Sequence, residues 1–253
     1  LRRTFQHFFQ ESCGMAVELN LDSPDVANNM AEVTQQRASQ DTDPYLKKFE
    51  RFEKDAKQLA WASSLRKAGI AKFAELGLPT LQHEDWRFTN TAPIAKLPFK
   101  PVLDPTDGFA VDALDNFAFA RLPGSKLVFV NGHFAPELST VKNLPVGVKV
   151  CSLATALVSD AAVLEKHLGR YAQDADNGFA ALNQAFFLDG GIVHVSAGKV
   201  VEEPIQFVYV STTKQTGATF HPRNLVIAEA NSRVTIIESY GSLGGAGYFT
   251  NAV

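Results

Sequence analysis

Apolar residues recur with a helical period in the first half of the chain and gather into strand-like runs in its last quarter. Asp43-Pro44 opens the first periodic stretch, a capping acid followed by proline at the first helical position, where the missing N–H is not needed. Leu46, Phe49, Phe52, Ala56 and Leu59 follow at three- and four-residue spacing, and Leu65, Ala68, Phe73 and Leu76 resume it. That pattern predicts a helical region over residues 45–96 with one face buried. Lys47, Lys48, Arg51, Lys54 and Lys57 fall largely on the other face, tempered by Glu50, Glu53 and Asp55. They read as a solvated face rather than a surface for membrane or nucleic acid. Gly77 stands where the residue after a helix needs left-handed backbone, and Pro79 follows where the helix cannot continue.

Between 97 and 189 the pattern is mixed. Three prolines from Leu97 to Pro105 impose an extended connector. Lys126–Val130 reads as a strand, Asn131-Gly132 as a hairpin turn, and Val146, Val148 and Val150 as a further strand. Leu153–Leu168 predicts an amphipathic helix ended by Gly169, and Phe179–Phe187 a second, shorter one. From Gly190-Gly191 onward no helical period remains. Ile192–Val195, Ile205–Val210, Leu225–Ile227, Val234–Ile237 and Tyr248–Val253 are β-branched or aromatic runs. Turn clusters at Glu202-Glu203-Pro204, at 214–217, at Ala230-Asn231-Ser232 and at Gly241–Gly247 separate them. A spacing of about ten residues suits a sandwich, a barrel or a solenoid, so the fold class is α+β, mainly β. The pattern stops inside a strand, which would leave an unpaired edge, and the expectation is the front part of a longer protein.

Composition narrows the setting. The 253 residues, 45% hydrophobic and 20% charged, suffice for one large domain or two, and a net charge of −3 gives no support for nucleic-acid binding. No apolar run reaches the ~18 residues that span a bilayer. The two cysteines, Cys13 and Cys151, are far apart and outside any C-x-x-C pair, which argues against a disulfide framework, a zinc ribbon or a permanent four-thiolate cluster. A cytoplasmic location follows as the expectation. Residues 1–44 are a polar lead-in; Leu1–Gly14 precede Met15 and read as upstream sequence rather than native protein, with Arg2 and Arg3 leaving a transit peptide as the other reading.

Candidate chemistry is sparse. His83-Glu84-Asp85 lacks the second histidine of a metal-binding H-E-x-x-H pair and reads as a hydrogen-bonded turn anchoring Trp86 and Arg87, which are expected to pack between helices and core. Gly241–Gly247 has the glycines of a phosphate loop but no Lys-Ser or Lys-Thr after it, and strand follows instead of helix. Cys151 precedes Ser152, a candidate helix cap whose helix dipole would lower the thiol pKa; a buried, inert cysteine is the competing reading. His133, His194 and His221 have no carboxylate neighbours in sequence, and no catalytic or metal-binding constellation emerges.

Family resemblance carries the reading further. Gly77-Leu78-Pro79-Thr80 followed by Glu84-Asp85-Trp86-Arg87-Phe88-Thr89 resembles the N-terminal signature of the SufD branch of the SufB/SufD family of iron–sulfur cluster assembly proteins. Leu65-Arg66 and Phe73 before it fit the same pattern, as do Phe129–Phe134, Ala181-Leu182-Asn183, Gly198, Glu203-Pro204-Ile205, Val226–Ala228 and Ile236–Glu238 after it. The resemblance covers about residues 45–253 and implies a helical N-terminal region followed by a stacked β-helix core beginning near residue 190. It implies a non-catalytic subunit that pairs with a SufB-like paralogue through the β-helix and with a SufC-like ATPase through a C-terminal region beyond Val253. It implies no cofactor bound by this portion, the cluster being handled transiently by the complex, and support for cluster building and iron acquisition. Gly77, Pro79, Glu84, Trp86, Arg87, Thr89 and Asn183 are signature residues with a structural role; no catalytic, cofactor or metal residue is assigned. A SufB-like scaffold and, from another class, a β-helix polysaccharide-acting enzyme are the alternatives.

Overall fold

The computed structural model describes residues 44–54, 60–104, 122–142, 144–172, 177–212, 214–243 and 245–253. Expectations for the lead-in, for Ala56, Lys57 and Leu59 and for Cys13 fall outside them. Residues 44–54 are helical (α1) and bury Tyr45, Phe49 and Phe52, as their spacing requires. Helix α2 spans Ala60–Leu76. It buries Ala62, Arg66, Ile70 and Phe73 and exposes Ala68, so its inward face is rotated from the predicted stripe. Gly69 gives the reason: a Cβ there would stand 2.7 Å from the backbone nitrogen of Ala185. The bare glycine lets α2 lie directly on α6 (Gly178–Phe186). At the other end, a Cβ on Gly178 would meet the carbonyl oxygen of Gly77 at 1.9 Å. Gly77 itself has φ +63° and bonds back to Phe73 O at 2.8 Å, the expected helix stop.

After the short helix α3 (Ala92–Ala95), three open sheets form a mixed α/β arrangement. One has the order β3 (His133–Phe134), β2 (Ser125–Val130), β6 (Ile205–Ser211), β9 (Ile236–Ser242). A second runs β4 (Val148–Ser152), β5 (Gly191–Val195), β8 (Leu225–Ala228), and a third β1 (Lys100–Pro101), β7 (Ala218–Phe220), β10 (Tyr248–Thr250). The chain from β5 to β10 therefore visits the three sheets twice in one order. Second-pass strands lie parallel to first-pass strands: Ile192 stands beside Leu225, Ile205 beside Ile236, and Ala218 beside Tyr248, about thirty residues apart. Each sheet also takes strands from before residue 190: β1 and β2 lie parallel to their first-pass neighbours, β4 lies antiparallel to β5, and β3 adds antiparallel to the far side of β2. First-pass strands β6 and β7 are buried at every position, whereas β9 and β10 are partly exposed throughout.

Several predicted elements change shape. The hairpin at Asn131-Gly132 forms, with φ +52° and +86°, the doubly left-handed turn that tight hairpins favour. Leu153–Leu168 is two helices, α4 (Leu153–Ser159) and α5 (Ala161–His167), broken at Asp160, whose backbone leaves the helical region at φ −134° and ψ 29° and whose carboxylate bonds Lys149 and the Ser159 hydroxyl. Val146 is exposed and precedes β4. Strand β9 starts two residues after Val234 and runs through Gly241 and Ser242 of the expected turn. Strands β1 and β7 were not anticipated. Pro101 is tolerated because its neighbours supply the bonds, Lys100 N to Gly217 O at 2.9 Å and Val102 N to Thr219 O at 3.3 Å, on an edge strand. Among the described residues no helix is long and apolar enough to cross a membrane.

Candidate functional site

Of the signature residues, Gly77 and Trp86 meet the start of α6 and Asn183 lies within it, and only some of the set are buried. Gly77 and Pro79 are buried, and Pro79 O accepts from the hydroxyl of buried Thr91. The turn after them is self-contained: His83 N bonds Thr80 O at 3.0 Å, Trp86 N bonds His83 O at 2.9 Å, and Thr89 N bonds Trp86 O at 2.8 Å. His83 Nδ1 accepts from Thr80 N at 3.0 Å, which is the anchoring turn the sequence suggests. Of the packing between helices and core expected for Trp86 and Arg87, Trp86 shows part and Arg87 none. Trp86 is half-buried, its ring 5.2 Å from that of Phe179 at the start of α6. Arg87 is exposed, paired with exposed Glu84 at 2.6 Å and lying over the ring of Phe88, itself 87% exposed. Thr89 is exposed as well. Because the turn satisfies its own backbone, it needs no burial to hold its shape.

Asn183, one turn further along α6, is wholly buried and is the polar centre of the junction between helices and strands. Its Nδ2 donates to Pro222 O and to Asn251 O, both at 2.7 Å, and its Oδ1 accepts from Arg223 Nη1 at 3.0 Å. Pro222 follows β7 and Asn251 follows β10, so one side chain clamps the same corner of two successive passes. Asn251 in turn donates to Phe179 O at 2.8 Å. Arg223 also reaches Gln184 Oε1 at 3.4 Å, and its backbone N–H bonds Asp189 O at 3.0 Å. The Asp189 carboxylate accepts from the backbone N–H groups of Phe134, Ala154 and Gly190 at 3.0, 2.9 and 2.8 Å. Burial raises its pKa, and those three donors oppose the rise.

Arg66 completes the junction from α2. Its guanidinium lies between the rings of Phe52 and Phe187, 4.9 Å from each centroid, and donates to Phe187 O at 2.5 Å. Burial lowers its pKa to about 10, with Glu53 at 3.9 Å opposing. Two aromatic faces and one carboxylate thus hold a buried cation. Neither Arg66 nor Arg223 was singled out as buried from sequence; the i, i+3, i+4 positions of Ala62, Gly69 and Ile70 around Arg66 were the available signal.

The second pass leaves three parallel strand edges, β8, β9 and β10, without a further neighbour among the described residues. An aromatic ladder ends there: Phe129, Tyr209 and Tyr240 stack in register across β2, β6 and β9, with centroids 4.7 and 5.0 Å apart and planes within 17° and 12°. Tyr240 donates to Glu238 at 2.5 Å, Asn224 Nδ2 donates to the same carboxylate at 3.0 Å, and Asn224 Oδ1 accepts from Tyr209 at 2.5 Å. This surface suits continued strand stacking better than chemistry.

The remaining candidates behave as structure. Ser152 caps α4, accepting from Thr155 N at 3.1 Å, yet burial raises the Cys151 thiol pKa instead of lowering it. His133 bonds Val102 O at 3.1 Å. His194 bonds Glu229 at 2.8 Å, a partner 35 residues away that sequence adjacency could not reveal. That bond lowers the Glu229 pKa. His221 is buried. Among the described residues no group of three or more His, Cys, Asp or Glu side chains comes together as a metal site.

Comparison with known proteins gives these observations a family. Residues 39–207 match the family model of the SufBD protein N-terminal region. Over 182 residues the chain is 31% identical to an iron–sulfur cluster assembly SufBD family protein of Synechocystis sp., covering 70% of this chain and 39% of that protein. It is 28% identical over 204 residues to the iron–sulfur cluster assembly protein SufD of Bacillus subtilis, covering 78% and 44%. A chloroplastic SufBD family protein of Arabidopsis thaliana is 33% identical over 92 residues, 36% of this chain and 16% of that protein. The chain spans less than half the length of these relatives. With the match running from the lead-in to α1 through the helical layer and into β6, the chain belongs to the SufBD family.

Proposed function

We propose that this chain acts in iron–sulfur cluster assembly as part of a non-catalytic, SufD-like subunit. The observation that carries the reading is the family match over residues 39–207, joined by relatives whose names describe cluster assembly. The Gly77–Thr89 signature and the resemblance to the Bacillus subtilis protein favour SufD over SufB.

In this reading β5 to β10 are the opening coils of a stacked β-helix. Two passes through three sheets, in one order and with parallel pairing, support it. The subunit pairs with a SufB-like paralogue through that β-helix, and a SufC-like ATPase binds a region beyond residue 253. The cluster is handled transiently by the complex in the cytoplasm, and no cofactor resides in this portion. The junction is a clamp: Asn183 and Arg66 of the helices, with Arg223 after β7, hold the first corners in register so that later coils stack on a fixed template.

The test is genetic. In a strain that builds clusters by this system alone, deleting the gene is expected to lower the activity of iron–sulfur enzymes, and supplying it restores them. Unchanged cluster-dependent activity in that strain would refute the role.

A further inference from the structure

Thr219 is the central residue of β7, and His221 is the first residue after that strand. Both are buried, and each keeps one polar atom without a hydrogen-bond partner, Thr219 Oγ1 and His221 Nε2. Such atoms are few in native proteins, because a stranded buried donor or acceptor forfeits its hydration with nothing in return. Here the two stranded atoms belong to residues lining one cavity, together with Phe52, Pro101, Phe186 and Leu188. About 10 Å³ of it is open to the centre of a water-sized sphere, which suits about one water molecule.

The tautomer of His221 fixes what the cavity offers. Asn251 Nδ2 donates to Phe179 O and stands 3.5 Å from His221 Nδ1. Because Asn251 Nδ2 can only donate, we assign Nδ1 as the acceptor of this long contact, which puts the ring proton on Nε2. Burial keeps the ring neutral, its pKa pushed down to about 3. A protonated Nε2 does not ligate a metal, and no carboxylate lines the cavity to hold a cation.

We propose that this cavity is an internal binding site for a single water molecule, which accepts from His221 Nε2–H and hydrogen-bonds Thr219 Oγ1. The water fixes the corner after β7 beneath Phe52 of α1 and Phe186 of α6. The inference is independent of the assembly role. Two measurements on the protein test it: a crystal structure at a resolution that shows ordered water, and a double-mutant cycle in denaturant with His221→Phe and Thr219→Val. The expected density is one peak within hydrogen-bond distance of both atoms. Each single substitution strands the water and the remaining partner, so each is expected to raise the unfolding equilibrium constant at least about fivefold. The double variant is expected to be no less stable than the worse single one. An empty cavity, a peak touching only one of the two atoms, or additive effects would overturn the proposal. If a variant fails to fold, the density in the unaltered protein decides.

Discussion

Replacing Asn183 by leucine keeps the approximate volume of the side chain and removes all of its hydrogen bonds. Pro222 O still accepts from Val253 N at 3.0 Å, so its loss is small. Asn251 O and Arg223 Nη1 lose partners at 2.7 and 3.0 Å. A stranded buried carbonyl costs about 1–3 kcal/mol, and a hydrogen bond from a charged donor contributes about 1.5–3 kcal/mol. The two share one site and do not add fully, so the expected loss is about 2–4 kcal/mol. Urea denaturation reads this directly. With a slope of about 2–3 kcal/mol per molar, the midpoint falls by about 1–2 M and the slope stays unchanged. Thr89→Ala, in the same family signature but exposed, is the control and is expected to stay within about 0.5 kcal/mol. A loss below about 1 kcal/mol in the Asn183 variant would refute the clamp, because the corners would then hold without it.

Trp86→Ala is expected to cost about 1–2 kcal/mol, less than a core tryptophan, because only part of the ring is covered and Phe179 is its aromatic neighbour; a loss above 3 kcal/mol by thermal or chemical unfolding would contradict the half-buried placement. Arg87→Ala is expected to change stability by no more than about 0.5 kcal/mol, since its pair with Glu84 is exposed. Gly178→Ala drives a methyl to 1.9 Å from Gly77 O and is expected to cost about 2–3 kcal/mol or to prevent folding, whereas Gly198→Ala, at φ +71° with open space around it, costs only about 1–2 kcal/mol of backbone strain. His221 has its folded-state pKa depressed from 6.5 to about 3, so the unfolded chain binds more protons between those values. Its contribution is complete above pH 6.5 and is lost as pH falls toward 3, at up to about 1.4 kcal/mol per pH unit. Denaturation across that range with His221→Phe is expected to show a flatter pH dependence; an unchanged slope would place the titration elsewhere.

What could be read from the sequence was whatever depends on near neighbours. Gly77 declares its left-handed turn, Asn131-Gly132 its hairpin, and the valine and isoleucine runs from Ile192 onward their strands. Elements fixed by distant partners were hidden. Strand β7 reads Ala-Thr-Phe, too short to stand out, and exists because Lys100–Pro101 and Tyr248–Thr250 pair with it from either side. The bond from Lys149 on β4 to Asp160, at the break between α4 and α5, joins residues that sequence order keeps apart. The signature run misled in one respect. A tryptophan, an arginine and a phenylalanine in sequence resemble core, yet the turn bonds to itself and leaves Arg87 and Phe88 in solvent. Conversely, an arginine on a helix normally faces water, and Arg66 is buried because Phe52 and Phe187 converge on it from other elements. Asn183 was marked by resemblance, but its clamp between Pro222 and Asn251 requires the stacking of two passes, which only the three-dimensional register reveals.

Co-expression of the protein, as its gene encodes it, with SufB-like and SufC-like proteins of the same organism, followed by affinity capture and native mass spectrometry, tests the assembly role most directly. The account predicts a stable complex containing all three proteins. Recovery of a folded protein that binds neither would contradict it.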